Sequence, residues 1–174
     1  MNSILTPQFF DHPVLEVAPE LLGKYLVRSI NGAEIALQIN EVEAYDGPED
    51  LACHARFGKT KRTAPMFGPA AHFYVYFVYG MHHMLNVVSG PVDYPAAILI
   101  RGAGQMVGPA RLTKRLAIGS EFNALPISPC SDLWIEDRGV YIPENKIMRT
   151  PRIGVDYAGP IWSKKPYRFV LVHD

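Results

Sequence analysis

Two carboxylates two residues apart, Glu41 and Glu43, close a segment that begins as alternating aliphatic residues, and Tyr45 follows at the same spacing. Alternate side chains of an extended strand share a face, and two residues span about 7 Å. Ile35, Leu37, Ile39, Glu41, Glu43 and Tyr45 are therefore expected on one face, and Glu34, Ala36, Gln38 and Asn40 on the other. An acid on a face that starts as core has two readings. Withdrawn from water or set against a second acid, it gains a raised pKa and suits general acid or base chemistry. Standing at a rim beside Arg or Lys, it is an ordinary strand-end acid, which is the commoner arrangement. Spacing alone leaves both open. An acid beside an aromatic ring, just before the Gly47-Pro48 turn, also suits the holding of a flat substrate.

His54 follows in a loop that ends in Arg56, Lys59, Lys61 and Arg62. Read alone, it is more often a hydrogen-bonded loop histidine than a catalytic one. The run His72 to Tyr79 sets Tyr74 and Tyr76 on one face and Phe73, Val75 and Phe77 on the other. Tyr79-Gly80 is expected at a hairpin tip, where a large ring is poorly buried. Tyrosines in such a run line a core, or, at a tip, wedge between stacked bases while a basic loop holds the backbone. Asn86 and Arg101 fall on neighbouring strands, where either could satisfy buried backbone groups. His72, His82, His83 and Cys53 lack metal-ligand spacing, and Cys53 and His54 diverge as neighbours in an extended chain, so neither a metal site nor a Cys-His dyad is expected.

The elements that must position these residues follow from period and punctuation. Pro13 to Leu22 reads as a helix broken near Pro19 and stopped by Gly23. Strands are expected over Tyr25 to Ser29, Ile35 to Tyr45, His72 to Val78, Met84 to Ser89, Ala96 to Gly102 and Tyr167 to Val172, with a basic helix from Pro109 to Leu116. The class is α+β on a largely antiparallel sheet, with a meander through the aromatic run.

The 174 residues suit one domain spanning 1–174, and 48% hydrophobic with 20% charged residues is an ordinary globular composition. No run approaches 18 uncharged apolar residues, Met1 to Pro13 has no Lys or Arg, and two cysteines give no disulfide framework. A chain without membrane span or secretion signal, in a reducing intracellular setting, is the expectation. The formal net charge is zero, but residues 1–50 hold nine acids and two bases, leaving eight acids and fifteen bases beyond. That asymmetry allows one positive face for a polyanion and is also within what any chain of this size shows.

Together these segments resemble the 3-methyladenine (alkylpurine) DNA glycosylases, the family of the mammalian alkyladenine glycosylase. The resemblance covers nearly the whole chain: Leu21 to Arg28, Glu41 to Asp50 with His54, Met66-Phe67-Gly68, Tyr74-Val75-Tyr76 through Tyr79-Gly80-Met81, Asn86-Val87-Val88, Leu99-Ile100-Arg101, Gly108-Pro109 with Leu112-Thr113, and Pro151 to Val155 with Arg168-Phe169. It implies a single compact domain around a curved antiparallel sheet, with a protruding β-hairpin and short peripheral helices. It also implies base flipping, which costs a few kcal/mol that an intercalated ring partly recovers.

Residue by residue, the resemblance makes Glu43 the acid that activates water, the backbone carbonyl of Ile153 a second anchor for that water, and Arg101 a conformation-fixing, phosphate-proximal arginine. It makes Tyr45, His54 and Tyr76 the walls around the extruded base, and Asn86 the pocket residue that discriminates against the guanine 2-amino group. Tyr79 matches the intercalating residue, with Met81 beside it, and Lys59, Lys61 and Arg62 are candidates for the DNA backbone. The implied partner is double-stranded DNA containing damaged purines such as 3-methyladenine, 7-methylguanine or hypoxanthine. The implied protein is a monomer without metal or organic cofactor, cytoplasmic and nucleoid-associated in a bacterium or nuclear in a eukaryote. No lysine nucleophile is implied, which fits a monofunctional glycosylase.

Two features depart from the family pattern. Gly102-Ala103-Gly104-Gln105 replaces an Ala-Leu-Glu-Pro-like stretch and a longer loop, and Ala71 stands where a glycine is usual. The alternatives are a lesion-binding protein without catalysis and, on the strength of the histidines, a metal-dependent hydrolase.

Overall fold

The architecture turns on one long strand, Ala33–Asp46, which runs through the middle of the sheet in the computed structural model of residues 2–172. In chain order the strands are β1 (Ser3–Ile4), β2 (Tyr25–Ile30), β3 (Ala33–Asp46), β4 (Phe73–Val78), β5 (His82–Val88), β6 (Ala96–Ala103), β7 (Met106–Val107), β8 (Leu133–Asp137), β9 (Ile147–Thr150) and β10 (Arg168–Leu171). The helices are short: α1 (Pro7–Phe10), α2 (Val14–Glu20), α3 (Pro109–Arg115) and α4 (Gly159–Trp162). The main path is β1-β8-β2-β3-β6-β5-β4, with β7 beside β6 and β9 beside β10, and every pairing is antiparallel. The fold is α+β, as the sequence indicates.

β2 and β3 are joined by Asn31-Gly32, both at positive φ, the backbone a tight hairpin requires. Past that turn, the first half of β3 pairs with β2 and the second half with β10, while β6 covers its other edge. Strand β10 therefore brings Arg168 opposite Glu43 and Val170 opposite Glu41.

Strict alternation along β3 fails in the middle. Ile39 pairs with Ala103, Glu41 with Gly102 and Val42 with Ile100, so Asn40 and Arg101 are each an extra residue in their strand. A bulge adds one residue and reverses the facing beyond it. Ile39, Val42 and Ala44 all enter the main core, three and then two residues apart. Glu41, Glu43 and Tyr45 consequently lie on the face opposite Ile39, where the sequence puts all of them together. The acids do not end an apolar face; they begin a second one.

The main core holds Phe10, Leu21, Ile39, Leu85, Ile98 and Leu133 among its fully buried members, with α2 packed on β3 and β6 and α3 on β5, β6 and β7. Two smaller apolar clusters lie apart from it, one around Cys53, Met66, Tyr74 and Ala97 and one around Ala52, Val155 and Ala158. Tyr45 packs against both.

Expected and observed elements differ mainly at their ends. Pro19 lies inside α2 without breaking it, because the helix ends one residue later and Leu21 still donates to Val17 O and Ala18 O. Strands β1, β7, β8 and β9 and helices α1 and α4 are additions, of two to five residues each.

Candidate active site

A cleft of about 330 Å³ opens on the face that carries Tyr45. Tyr45, His54, Tyr74, Tyr76, Asn86 and Tyr157 supply much of its wall, with Arg101 and Ile153 also lining it. Glu43 lies under that floor with no exposed surface. Its Oε2 accepts from the Tyr45 hydroxyl at 2.8 Å and its Oε1 from the Ile153 backbone N–H at 2.7 Å, while Arg101 Nη1 lies 3.5 Å from Oε1. A carboxylate has about four lone-pair sites, so these donors hold it without saturating it. Burial first, then the neighbouring Glu43 charge, push the Tyr45 phenol well above its ordinary value. Tyr45 thus remains a donor to Glu43 throughout the physiological range.

The two acids divide in role. Glu41 Oε1 accepts from Arg101 Nε at 2.8 Å and from Arg168 Nε at 2.7 Å, which is the ion-paired rim arrangement. Arg101 spans both acids because the bulge that leaves it unpaired in β6 turns it toward them. Glu43 shares Arg101 at the longer distance of 3.5 Å and is held next to the cleft mainly by the hydrogen bonds from Tyr45 and Ile153.

The aromatic wall comes from β4 and the short helical turn His54–Phe57. The His54 ring meets Tyr76 edge-on at 4.5 Å between centroids, and Tyr74 lies 5.3 Å from Tyr76. His54 Nδ1 is 3.2 Å from the Tyr74 hydroxyl. Burial, with Arg62 and Arg56 adding to it, lowers the histidine pKa to about 4, so the ring is neutral at pH 7. Burial also raises Tyr74 to about 12 and Tyr76 above its ordinary value. The wall is therefore a set of neutral rings.

Asn86 lines the cleft, but its Nδ2 donates to Tyr74 O at 3.0 Å and Met84 O at 3.4 Å, so part of its amide serves the strand backbone. At the hairpin tip Tyr79 is 87% exposed and Met81 is 68% exposed. Tyr79 and Gly80 both have positive φ, and Met81 N–H closes the turn onto Val78 O at 3.1 Å. Arg62 lies over the Tyr76 ring at 5.3 Å, Lys59 is 4.0 Å from Asp93, and all three basic candidates Lys59, Lys61 and Arg62 are exposed. Among the described residues no three His, Cys, Asp or Glu side chains come together to hold a metal ion, and no helix is long and apolar enough to cross a membrane.

Sequence reasoning passed over several residues. Tyr74 joins the wall, as its place two residues before Tyr76 on the same face allows. Tyr157 lines the cleft and donates to Ala52 O at 2.9 Å. Asp50 and Arg152 form a buried ion pair behind Tyr45, and no local pattern joins residues 102 apart.

The family described as methylpurine-DNA glycosylase (MPG) matches residues 8–107 and 104–174. A protein named "Putative 3-methyladenine DNA glycosylase" from Anaeromyxobacter sp. (strain Fw109-5) is 44% identical over 175 residues, covering 96% of this chain and 88% of its own. One of the same name from Methanocella arvoryzae is 40% identical over 187 residues, covering 95% and 91%. The "DNA-3-methyladenine glycosylase" of Arabidopsis thaliana is 37% identical over 188 residues, covering 97% of this chain and 71% of its own. A sheet carrying an enclosed acid beneath an aromatic cleft is thus found in a sequence of the DNA-repair glycosylases. The chain belongs to the methylpurine-DNA glycosylase family and is an enzyme of that class.

Proposed function

We propose that this protein, acting as a monomeric single domain, removes alkylated purines such as 3-methyladenine and 7-methylguanine from duplex DNA and leaves abasic sites. The damaged nucleotide rotates out of the helix into the cleft, Tyr79 fills the gap in the stack, and Met81 packs beside it. The base lies among Tyr45, His54 and Tyr76, with Asn86 at its edge, and Lys59, Lys61 and Arg62 hold phosphates. In a cell the substrate is the chromosome, so the nucleoid of a bacterium or the nucleus of a eukaryote is the working place.

In the chemical step, Glu43 takes a proton from water as the water oxygen bonds to C1′ of the deoxyribose. The C1′–N bond breaks with its electron pair passing to the purine. Glycosidic cleavage develops oxocarbenium character that a nearby carboxylate stabilises, in analogy with an inverting glycosidase. A 3- or 7-alkylated purine is already cationic and leaves as a neutral base, so no strong general acid is required. The neutral rings of the wall attract that cation by about 0.5 to 2 kcal/mol. Arg101, near both Glu41 and Glu43, fixes the carboxylate, and the Ile153 backbone is the second anchor. No lysine nucleophile enters, which fits a monofunctional hydrolase.

The observation that carries this reading is Glu43 itself: fully buried, two donors on its oxygens at 2.7 and 2.8 Å, and both donors on the wall of the aromatic cleft. The test is Glu43→Gln on methylated duplex, followed by alkali cleavage of abasic sites. Base release is expected to fall at least about a thousandfold while lesion binding persists. Release at the parental rate removes Glu43 from its role.

A further inference from the structure

The guanidinium of Arg152 lies over the Tyr45 ring at 4.7 Å and over the Tyr167 ring at 5.2 Å. Its side chain and that of Asp50 have no exposed surface. Arg152 Nη2 donates to Asp50 Oδ1 at 2.8 Å and Nη1 to Asp50 Oδ2, and Nη1 also reaches Ala44 O at 2.8 Å. Asp50 further accepts from the backbone N–H groups of Asp46 and Ala52 at 3.0 Å each. Tyr45 lines the cleft and Arg152 is not among its lining residues, so the ring is shared between a buried cation and the cleft.

A charged side chain is an expensive way to back an aromatic wall, since burying an ion costs more than packing an apolar group of the same bulk. A lone cation at 4.7 Å would also occupy the ring's attraction for positive charge and repel a second cation on its other face. Asp50 cancels that charge at contact distance. We propose that Asp50 is a specificity-determining positioning residue: by neutralising Arg152 behind Tyr45, it keeps the exposed face of that ring able to attract a cationic alkylpurine. The inference rests on the proposed occupancy of the cleft by the extruded base. Asp50 never touches that base; it acts through Arg152 and Tyr45.

The test is a charge series read by binding, which needs no Glu43 chemistry. Duplexes carry either 2′-fluoro-7-methyldeoxyguanosine, a cation with a hydrolysis-resistant glycosidic bond, or neutral 2′-fluorodeoxyinosine. The readout is the ratio of affinities, cationic over neutral. Asp50→Asn leaves a net positive pair and is expected to lower the ratio about tenfold, and Arg152→Met leaves a net negative pair and raises it by a similar factor. The double variant is uncharged and returns the ratio to within about threefold of the parent. Loosening of the fold weakens both lesions together, so an unchanged ratio across the series overturns the proposal. If Asp50→Asn does not fold, Arg152→Met against the double variant makes the same comparison with the opposite sign. A parent that releases no base from methylated duplex overturns the glycosylase reading instead, whatever the ratio does.

Discussion

Ile153 donates its backbone N–H to Glu43 Oε1 at 2.7 Å, joining residues 110 positions apart. The contact is held from both sides. Arg152, the preceding residue, is anchored to Asp50 and to the carbonyl of Ala44, the residue after Glu43. The end of β3 and the Pro151–Val155 segment are therefore tied together, and the acid is fixed in direction before any substrate arrives. Such preorganisation is what a group acting on a developing charge requires. The sequence resemblance assigns the Ile153 carbonyl to the water; the N–H of the same residue meets Glu43.

Removing the Tyr45 hydroxyl tests the donor on the other oxygen. Tyr45→Phe keeps the ring and deletes a hydrogen bond to a charged acceptor, worth about 1.5 to 3 kcal/mol. Without it the carboxylate is held less firmly, and the single-turnover rate of base release from methylated duplex is expected to fall about tenfold to a hundredfold. A rate equal to the parent's shows that the bond has no role in the reaction.

His54 offers a pH test of the fold. Its folded pKa of about 4 lies below the ordinary value of 6.5, with burial the main cause and Arg62 and Arg56 next. The unfolded chain therefore takes up the proton first as pH falls. Stability from the neutral ring is present above about pH 6.5 and declines toward pH 4. NMR titration should find the ring neutral down to about pH 4, and His54→Gln should flatten that part of the stability–pH curve. A midpoint near 6.5 refutes the burial argument.

Ala71 occupies the left-handed region, with φ of 61°, while being buried in the main core. A Cβ there costs about 1 to 2 kcal/mol, which is a physical ground for the glycine that the resemblance leads one to expect. Ala71→Gly relieves that cost but loses a buried methyl and loosens the unfolded chain. Denaturant unfolding should find it within about 0.5 kcal/mol of the parent, and Ala71→Val should lose more than about 2 kcal/mol. A large loss in the glycine variant shows the methyl to outweigh the strain.

Tyr79 has few neighbours and a strained backbone. Tyr79→Ala should leave the thermal midpoint within about 2 °C of the parent, while affinity for a lesion-bearing duplex falls about tenfold. A large drop in the midpoint places the ring in the fold's own packing rather than at a DNA surface.

Local pattern determined a good deal of this protein. The alternation of Phe73 to Val78, the Tyr79-Gly80 tip and the β4–β5–β6 meander all follow from period two and from a glycine that tolerates positive φ. The candidate wall residues Tyr45, His54 and Tyr76 do line one cleft, and Tyr79 does stand at an exposed tip. What local pattern missed was the sense of β3, because a bulge inserts a residue without marking the hydrophobic sequence, and every side chain past Asn40 changes face. Only the closed sheet decided that Glu41 takes Arg101 and Arg168 while Glu43 takes Tyr45 and Ile153, and that Asp50 meets Arg152 behind Tyr45. Apart from Glu43 and Tyr45, two residues apart on one strand, such pairings depend on which segments lie side by side, and residues 60 to 127 positions apart leave no shared period for a local reading to detect.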